Sequence, residues 1–134
     1  MTNPNLQDIA AALHTARAES KPIQAPTKTW PSLDPDGAFK IQEINSEHTV
    51  KNGDRLVGYK LGNIAKVMQA AFGLDHPDYG FLHASLFIFE GITISRGKFI
   101  KPFVELEPAF VLRGPLRGPN VTVADVVNAI DYAK

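Results

Sequence analysis

The stretch SLFIFEGITISRGKFIKPFVELEPAFVL, residues 85–112, most constrains what this chain can fold into. It is rich in β-branched and aromatic residues, and glycines cut it into short pieces, which is the pattern of several short strands. Such strands bury their apolar side chains only when they join a sheet that packs on another layer. Helical patterns precede this stretch, so the sequence predicts an α+β fold, with N-terminal helices followed by short mixed strands.

Two helices are predicted before residue 50. In residues 2–20 the apolar side chains recur at helical spacing, with Asn3 as the predicted N-cap and Pro4 in the first turn. A second helix is predicted over DGAFKIQEINSEH, residues 36–48. The proline-rich segment between them predicts an irregular connector that still offers Trp30 and Leu33 for packing.

The later elements are shorter. DRLVGYKLG, residues 54–62, predicts a strand that ends at a glycine. NIAKVMQAAFG predicts a short helix with Asn63 as its cap and Gly73 as its terminator. TVADVVNAIDYAK predicts a last helix, in which Thr122 and Asp125 resemble a capping box.

Composition excludes several classes of function. The 14 Lys and Arg balance the 14 Asp and Glu, and the basic residues form no block, so a nucleic-acid or anionic-membrane partner is not expected. The sequence has no cysteine, which excludes disulfides and thiolate metal sites. It also lacks an apolar run of membrane-spanning length and the pattern of a signal peptide. A cytoplasmic location is the expectation.

Two acidic residues interrupt the apolar segment FVELEPAFVL. If this segment is a strand, Val104, Leu106, Phe110 and Leu112 share one face, and Glu105 and Glu107 share the other. Carboxylates at positions i and i+2 lie about 6.6 Å apart along a strand. They repel each other unless solvent or a cation intervenes, and Mg²⁺ or Mn²⁺ prefers such oxygen ligands. The spacing alone fits either a solvated strand face or a pair of metal ligands.

The segments GDRLVGYKLG, MQAAFGLDHPDYGFL, PFVELEPAFVL and PLRGPNVTVADVVNAIDY occur in this order within residues 53–132, and the resemblance that they carry runs from about LQDIAAAL to the last residue. Together they resemble the 2-keto-4-pentenoate hydratase and 4-oxalocrotonate decarboxylase family of the fumarylacetoacetate hydrolase superfamily. The resemblance implies that the strands form part of a β-roll. It also implies a homo-oligomer and a small-molecule substrate, a 2-hydroxy-2,4-dienoate or a 2-oxo acid from the degradation of aromatic compounds.

The same resemblance implies a set of site residues. Glu105 and Glu107 match the two glutamates that bind Mg²⁺ or Mn²⁺ in this family, where the ion acts as a Lewis acid at the 2-oxygen of the substrate. Lys60, in GYKLG, matches a lysine that holds the substrate carboxylate or orients water. Asp78, in HPDYG, matches an acid that serves in proton transfer. Without the resemblance, an exposed strand lysine and a turn aspartate would explain these two residues.

The chain also departs from the family pattern. GNIAK stands where relatives show a glycine, a hydrophobic residue, a threonine and a serine, so Asn63 either replaces the missing hydroxyls or caps its helix. Pro108 follows the second glutamate and lacks the N–H of a regular strand residue. Relatives are roughly twice as long and take a third metal ligand from a later segment. Asp131 is a weaker substitute, because it falls in the pattern of the last helix.

These observations predict a helical region over residues 1–52 and the first part of a truncated catalytic domain over residues 53–134. The expected function is a metal-dependent hydratase, represented by the N-terminal half of the family. One alternative is decarboxylation of 4-oxalocrotonate at the same site. The other is a non-catalytic subunit that pairs with a complementing chain.

Overall fold

The computed structural model describes residues 5–134. Helix α1 covers Leu6–Ala18 and begins after Asn5, whose side chain accepts a hydrogen bond from the backbone N–H of Gln7 at 3.0 Å. The predicted cap at Asn3 and the proline at position 4 lie outside the described residues. Helix α3, Pro35–Lys51, begins in the same way at Asp34. Both predicted helices are confirmed.

The core lies where α1 packs against α3. Ile9, Ala10 and Ile41 are buried there, and Trp30 and Leu33 from the connector pack against them, as predicted. The connector is less irregular than expected, because Pro26–Thr29 forms a single helical turn, α2. Proline at the first position of a helix favours such a turn, since its φ angle is already helical.

An antiparallel pair of strands follows the helices. Strand β1, Leu56–Gly62, is confirmed, and it pairs with β2, Asp78–His83, which the sequence did not predict. The predicted short helix is confirmed between them as α4, Lys66–Phe72, and it ends at Gly73 in the left-handed conformation. Asn63 was predicted as the cap of this helix. That prediction is wrong, because the helix begins after Ala65.

A second antiparallel pair lies near the end of the described chain. Strand β3, Phe110–Leu112, pairs with β4, Ile130–Ala133, and helix α5, Val123–Ala129, lies between them in sequence. The capping box of α5 is confirmed, and the hydroxyl of Thr122 holds the pKa of Asp125 below its ordinary value through a hydrogen bond of 2.6 Å. Both sheets of the described chain are antiparallel rather than mixed.

The prediction for residues 85–112 was largely wrong. Within this stretch the structure has two 3₁₀ turns, at Ala84–Leu86 and Arg96–Lys98, and only the short strand β3. Val104 and Leu106, expected in a core, are 99% and 103% exposed. A strand needs a neighbour for its backbone hydrogen bonds, and β3 finds its neighbour only after Pro108.

The last predicted helix was too long by several residues. The residues at its predicted end form strand β4, so Asp131 lies in a strand rather than a helix. The carboxylate of Asp131 accepts a hydrogen bond from Nε of Arg113 at 3.3 Å. Pairing with β3 satisfies the backbone groups of these residues, which outweighs their local helical pattern.

The chain divides into two compact units, one that runs to Lys101 and one that covers Pro102–Lys134. The α+β class is confirmed, whereas the β-roll and the domain division at residue 52 stay predictions. None of the helices in the described part of the chain is long and apolar enough to cross a membrane.

Candidate functional site

Two of the predicted site residues lie on one face of the β1–β2 pair. Lys60 is opposite Gly80 in the register, and Asp78 is opposite Gly62. Side chains alternate along each strand, so Lys60 and Asp78 point to the same side as a diagonal pair. Glycines at three neighbouring positions, 58, 62 and 80, leave this face with few side chains of its own. Lys60 and Asp78 therefore share a face on which several of the other positions are glycine.

The opposite face of the pair is fixed to α3. The rings of Tyr79 and Phe39 stack with their centroids 5.0 Å apart. Further along, the Ser46 hydroxyl and Nε2 of His83 form a buried hydrogen bond of 2.9 Å. These contacts anchor β2 to a long helix, and a rigid support of this kind keeps the Lys60 and Asp78 face in one orientation.

Gly62 and Asn63 determine where the Asp78 carboxylate lies. A Cβ atom added to Gly62 would overlap Oδ1 of Asp78, so this position accepts only glycine while the carboxylate stays in place. The side-chain amide of Asn63 donates a hydrogen bond of 2.9 Å to Oδ2 of the same carboxylate. Asp78 is half-buried under these two neighbours.

We expect Gly62→Ala to displace the Asp78 side chain and to break its hydrogen bond with Asn63. Because the overlapping atom is the end of a side chain that can rotate away, the free energy of unfolding should fall by only about 1 kcal/mol, the contribution of the lost Asn63 hydrogen bond. Urea unfolding gives the energy, and a crystal structure of the variant gives the carboxylate position.

Gly58→Ala is the matched control, because a Cβ atom at Gly58 meets nothing closer than Cδ1 of Leu82 at 4.0 Å. This variant should keep Asp78 in place. An unchanged Asp78 in Gly62→Ala would contradict the close approach described above.

The two predicted metal ligands lie in the second compact unit. Glu105 and Glu107 belong to a segment, residues 102–109, that is exposed and has no helix or strand assigned. Glu105 and Glu107 are therefore not placed on one face by strand alternation. Within residues 5–134, no group of three or more histidine, aspartate or glutamate side chains is placed to hold a metal ion together.

The chemistry of this donor pair still suits a hard divalent ion. Two carboxylates from one short segment match the oxygen ligands that Mg²⁺ and Mn²⁺ prefer, and water can occupy the remaining positions of such an ion. The assignment of Glu105 and Glu107 as ligands stays a prediction.

The requirement for glycine at position 62 and the contact of Asn63 with Asp78 were not predicted from the sequence. One signal for Asn63 was available, since asparagine after glycine is among the few residues that accept a left-handed backbone. Its φ angle is 50°.

No protein-family model matches the sequence. The chain is 39% identical over 124 residues to 2-oxo-hept-4-ene-1,7-dioate hydratase of Escherichia coli. This match covers 92% of the chain and 46% of the hydratase. The chain is 37% identical to 2-keto-4-pentenoate hydratase 2 of Dechloromonas aromatica, over 99% of this chain and 52% of that protein.

Among solved structures, 4-oxalocrotonate decarboxylase from Pseudomonas putida G7 matches with a TM-score of 0.91 and 28% sequence identity. The match covers 99% of this chain and 51% of the decarboxylase. That enzyme was solved with calcium and acetate and with magnesium and adipate. This chain thus spans about half the length of the relatives it matches.

Proposed function

We propose that this chain, a homologue of the 2-keto-4-pentenoate hydratases over about half of their length, supplies part of the active site of a metal-dependent lyase. The substrate would be a 2-hydroxy-2,4-dienoate or the related 2-oxo acid, and the reaction the addition of water. The observation that carries the proposal is the shared face of Lys60 and Asp78 beside glycines, in a chain of this ancestry.

Each of the two residues has a role that suits its charge and position. The ammonium group of Lys60 would hold the substrate carboxylate, because an exposed cation on a glycine-lined strand can meet an anion without steric conflict. Asp78 would carry a proton between the ends of the conjugated system, since its carboxylate lies on the same face.

Glu105 and Glu107 would hold a Mg²⁺ or Mn²⁺ ion. When bound, this ion supplies Lewis-acid stabilisation for negative charge on the 2-oxygen of the substrate. The magnesium in the decarboxylase structure supports the choice of metal. A further protein ligand would come from outside the described residues.

The missing parts of the site would come from the rest of a longer polypeptide, from a complementing chain or from another copy in a homo-oligomer. Large exposed apolar side chains within residues 85–112 support such a partner, among them Phe89 at 81% and Leu106 at 103% exposure. The partner would complete the β-roll by pairing with strands whose edges are open within the described chain.

Decarboxylation of 4-oxalocrotonate is the second candidate, and the TM-score of 0.91 to a decarboxylase favours it. Hydration stands first because identity to the hydratases reaches 39%, against 28% to the decarboxylase. Both reactions would use the same face of the β1–β2 pair.

The test uses this chain together with a polypeptide that covers the remaining half of a related hydratase. With Mg²⁺ present, 2-hydroxypenta-2,4-dienoate should lose its ultraviolet absorbance as water adds, and 4-oxalocrotonate should release little carbon dioxide. Preferential release of carbon dioxide would favour the decarboxylase. Failure of the associated chains to convert either substrate would overturn the proposed function.

A further inference from the structure

The loop that joins β1 to α4 contains a residue in a rare conformation. Asn63 has a φ angle of 50°, which is left-handed and costly for most residues that carry a side chain. It does not cap the following helix, whose N-cap is Ala65. Asparagine adopts this conformation more readily than most residues, and contacts from the following helix fix it here.

Contacts from α4 hold this loop. Gln69 is only 2% exposed, and its amide nitrogen donates to the carbonyl oxygens of Asn63 at 2.8 Å and of Ile64 at 3.4 Å. Nζ of Lys66 donates in turn to Oε1 of Gln69 at 3.1 Å. A buried side chain thus satisfies the backbone of the loop and fixes the orientation of Asn63.

The fixed orientation directs the Asn63 amide onto Asp78. Nδ2 of Asn63 lies 2.9 Å from Oδ2 of Asp78, while Oδ1 faces the strand backbone at Gly62. The two carboxylate oxygens are therefore inequivalent.

We propose that Asn63 is a positioning residue for Asp78, and that Gln69 keeps Asn63 in the conformation that this requires. The Asn63 amide holds Oδ2 and so fixes the rotation of the Asp78 carboxylate on the face that it shares with Lys60. The inference rests on the proposed role of Asp78, because orientation of this carboxylate matters to turnover only if Asp78 transfers the proton.

Asn63→Gly separates this role from a purely structural one. Glycine accepts the left-handed backbone and keeps the carbonyl group that Gln69 binds, so only the amide on Asp78 is lost. Asn120→Gly is the matched control for replacing a left-handed asparagine by glycine. Asn120 has a φ angle of 72° and lies in the second compact unit.

The first measurement is nuclear magnetic resonance of the ¹⁵N-labelled 134-residue chain. In Asp78→Asn the side-chain amide signals of Asn63 should shift more than those of any other asparagine or glutamine. Asp75→Asn, a change at a side chain that is 95% exposed and close in sequence, should leave the Asn63 signals in place. Unchanged chemical shifts of the Asn63 side-chain amide in Asp78→Asn would overturn the inference.

The second measurement is turnover by the chain associated with its complementing half. Loss of one hydrogen bond to a charged group should lower kcat about tenfold in Asn63→Gly, with KM changed much less. Asn63→Asp should be slower still, because a second carboxylate would then face Asp78.

The two possible failures give different results. If Asp78→Asn abolishes turnover but Asn63→Gly matches the unmodified chain, the positioning role is wrong and the proposed function stands. If Asp78→Asn retains full turnover, Asp78 is not the proton carrier, and the positioning inference falls with that assignment.

Discussion

The chain on its own is expected to hydrate 2-hydroxypenta-2,4-dienoate at least about 1000-fold more slowly than the chain with its complementing half. Loss of a single donor that stabilises developing charge already costs about 100- to 1000-fold in other enzymes. Here the described residues bring no third acid to a metal site, and the segment with Glu105 and Glu107 is exposed to water. Water in such an open site weakens the stabilisation of the charge that develops on the substrate, and it also allows side reactions.

Steady-state rates at equal chain concentration, with Mg²⁺ or Mn²⁺ in excess, measure this difference. The control for mere stabilisation of the fold is a complementing half in which the metal-ligating acid is changed to alanine. Rapid turnover by the purified chain without any partner would contradict the prediction. It would mean that an acid from another copy of the chain completes the site.

Substitution of both Glu105 and Glu107 by Gln is expected to weaken Mn²⁺ binding more than about 100-fold. Changes to groups that merely support metal ligands cost about 10- to 100-fold in affinity, and this variant removes two ligands. Gln keeps the size of the side chain and removes its charge, so the circular dichroism spectrum should not change. Titration calorimetry or the electron paramagnetic resonance of free Mn²⁺ gives the affinity.

Asp131→Asn is the control for this experiment, because Asp131 is an acid of the same compact unit that pairs with Arg113. It should bind Mn²⁺ like the unmodified chain. Binding is expected to be weak even there, since two protein ligands leave most coordination positions to water. A titration of the unmodified chain without a saturable site would remove the basis for the assignment of both glutamates.

Local sequence patterns predicted the elements that depend on local interactions. Helices α1 and α3 were found from their helical sequence patterns and α5 from its capping box, whereas the caps Asn5 and Asp34 were not predicted. Strand β2 was missed because HPDYG has good turn chemistry, and its strand exists through pairing with β1. The register of that pairing is a non-local property that no short pattern encodes.

The same distinction applies to the candidate site. Lys60 and Asp78 were each predicted through a resemblance, but their position on one face required the register of β1 with β2. The contact between Asn63 and Asp78 depends on a left-handed loop that the buried Gln69 supports. For Glu105 and Glu107 the alternation argument assumed a strand, and the described chain provides no neighbour to form one there.

The division into two compact units also bears on the order in which the chain folds during its synthesis. Strands β1 and β2 are joined through residues 63–77, and β3 and β4 through residues 113–129, so each pair closes within its own unit. Contacts between residues close in sequence form quickly, and an N-terminal unit folds first as the chain emerges from the ribosome. The β1–β2 pair with Lys60 and Asp78 can therefore form before the second unit, which contains Glu105 and Glu107, has folded.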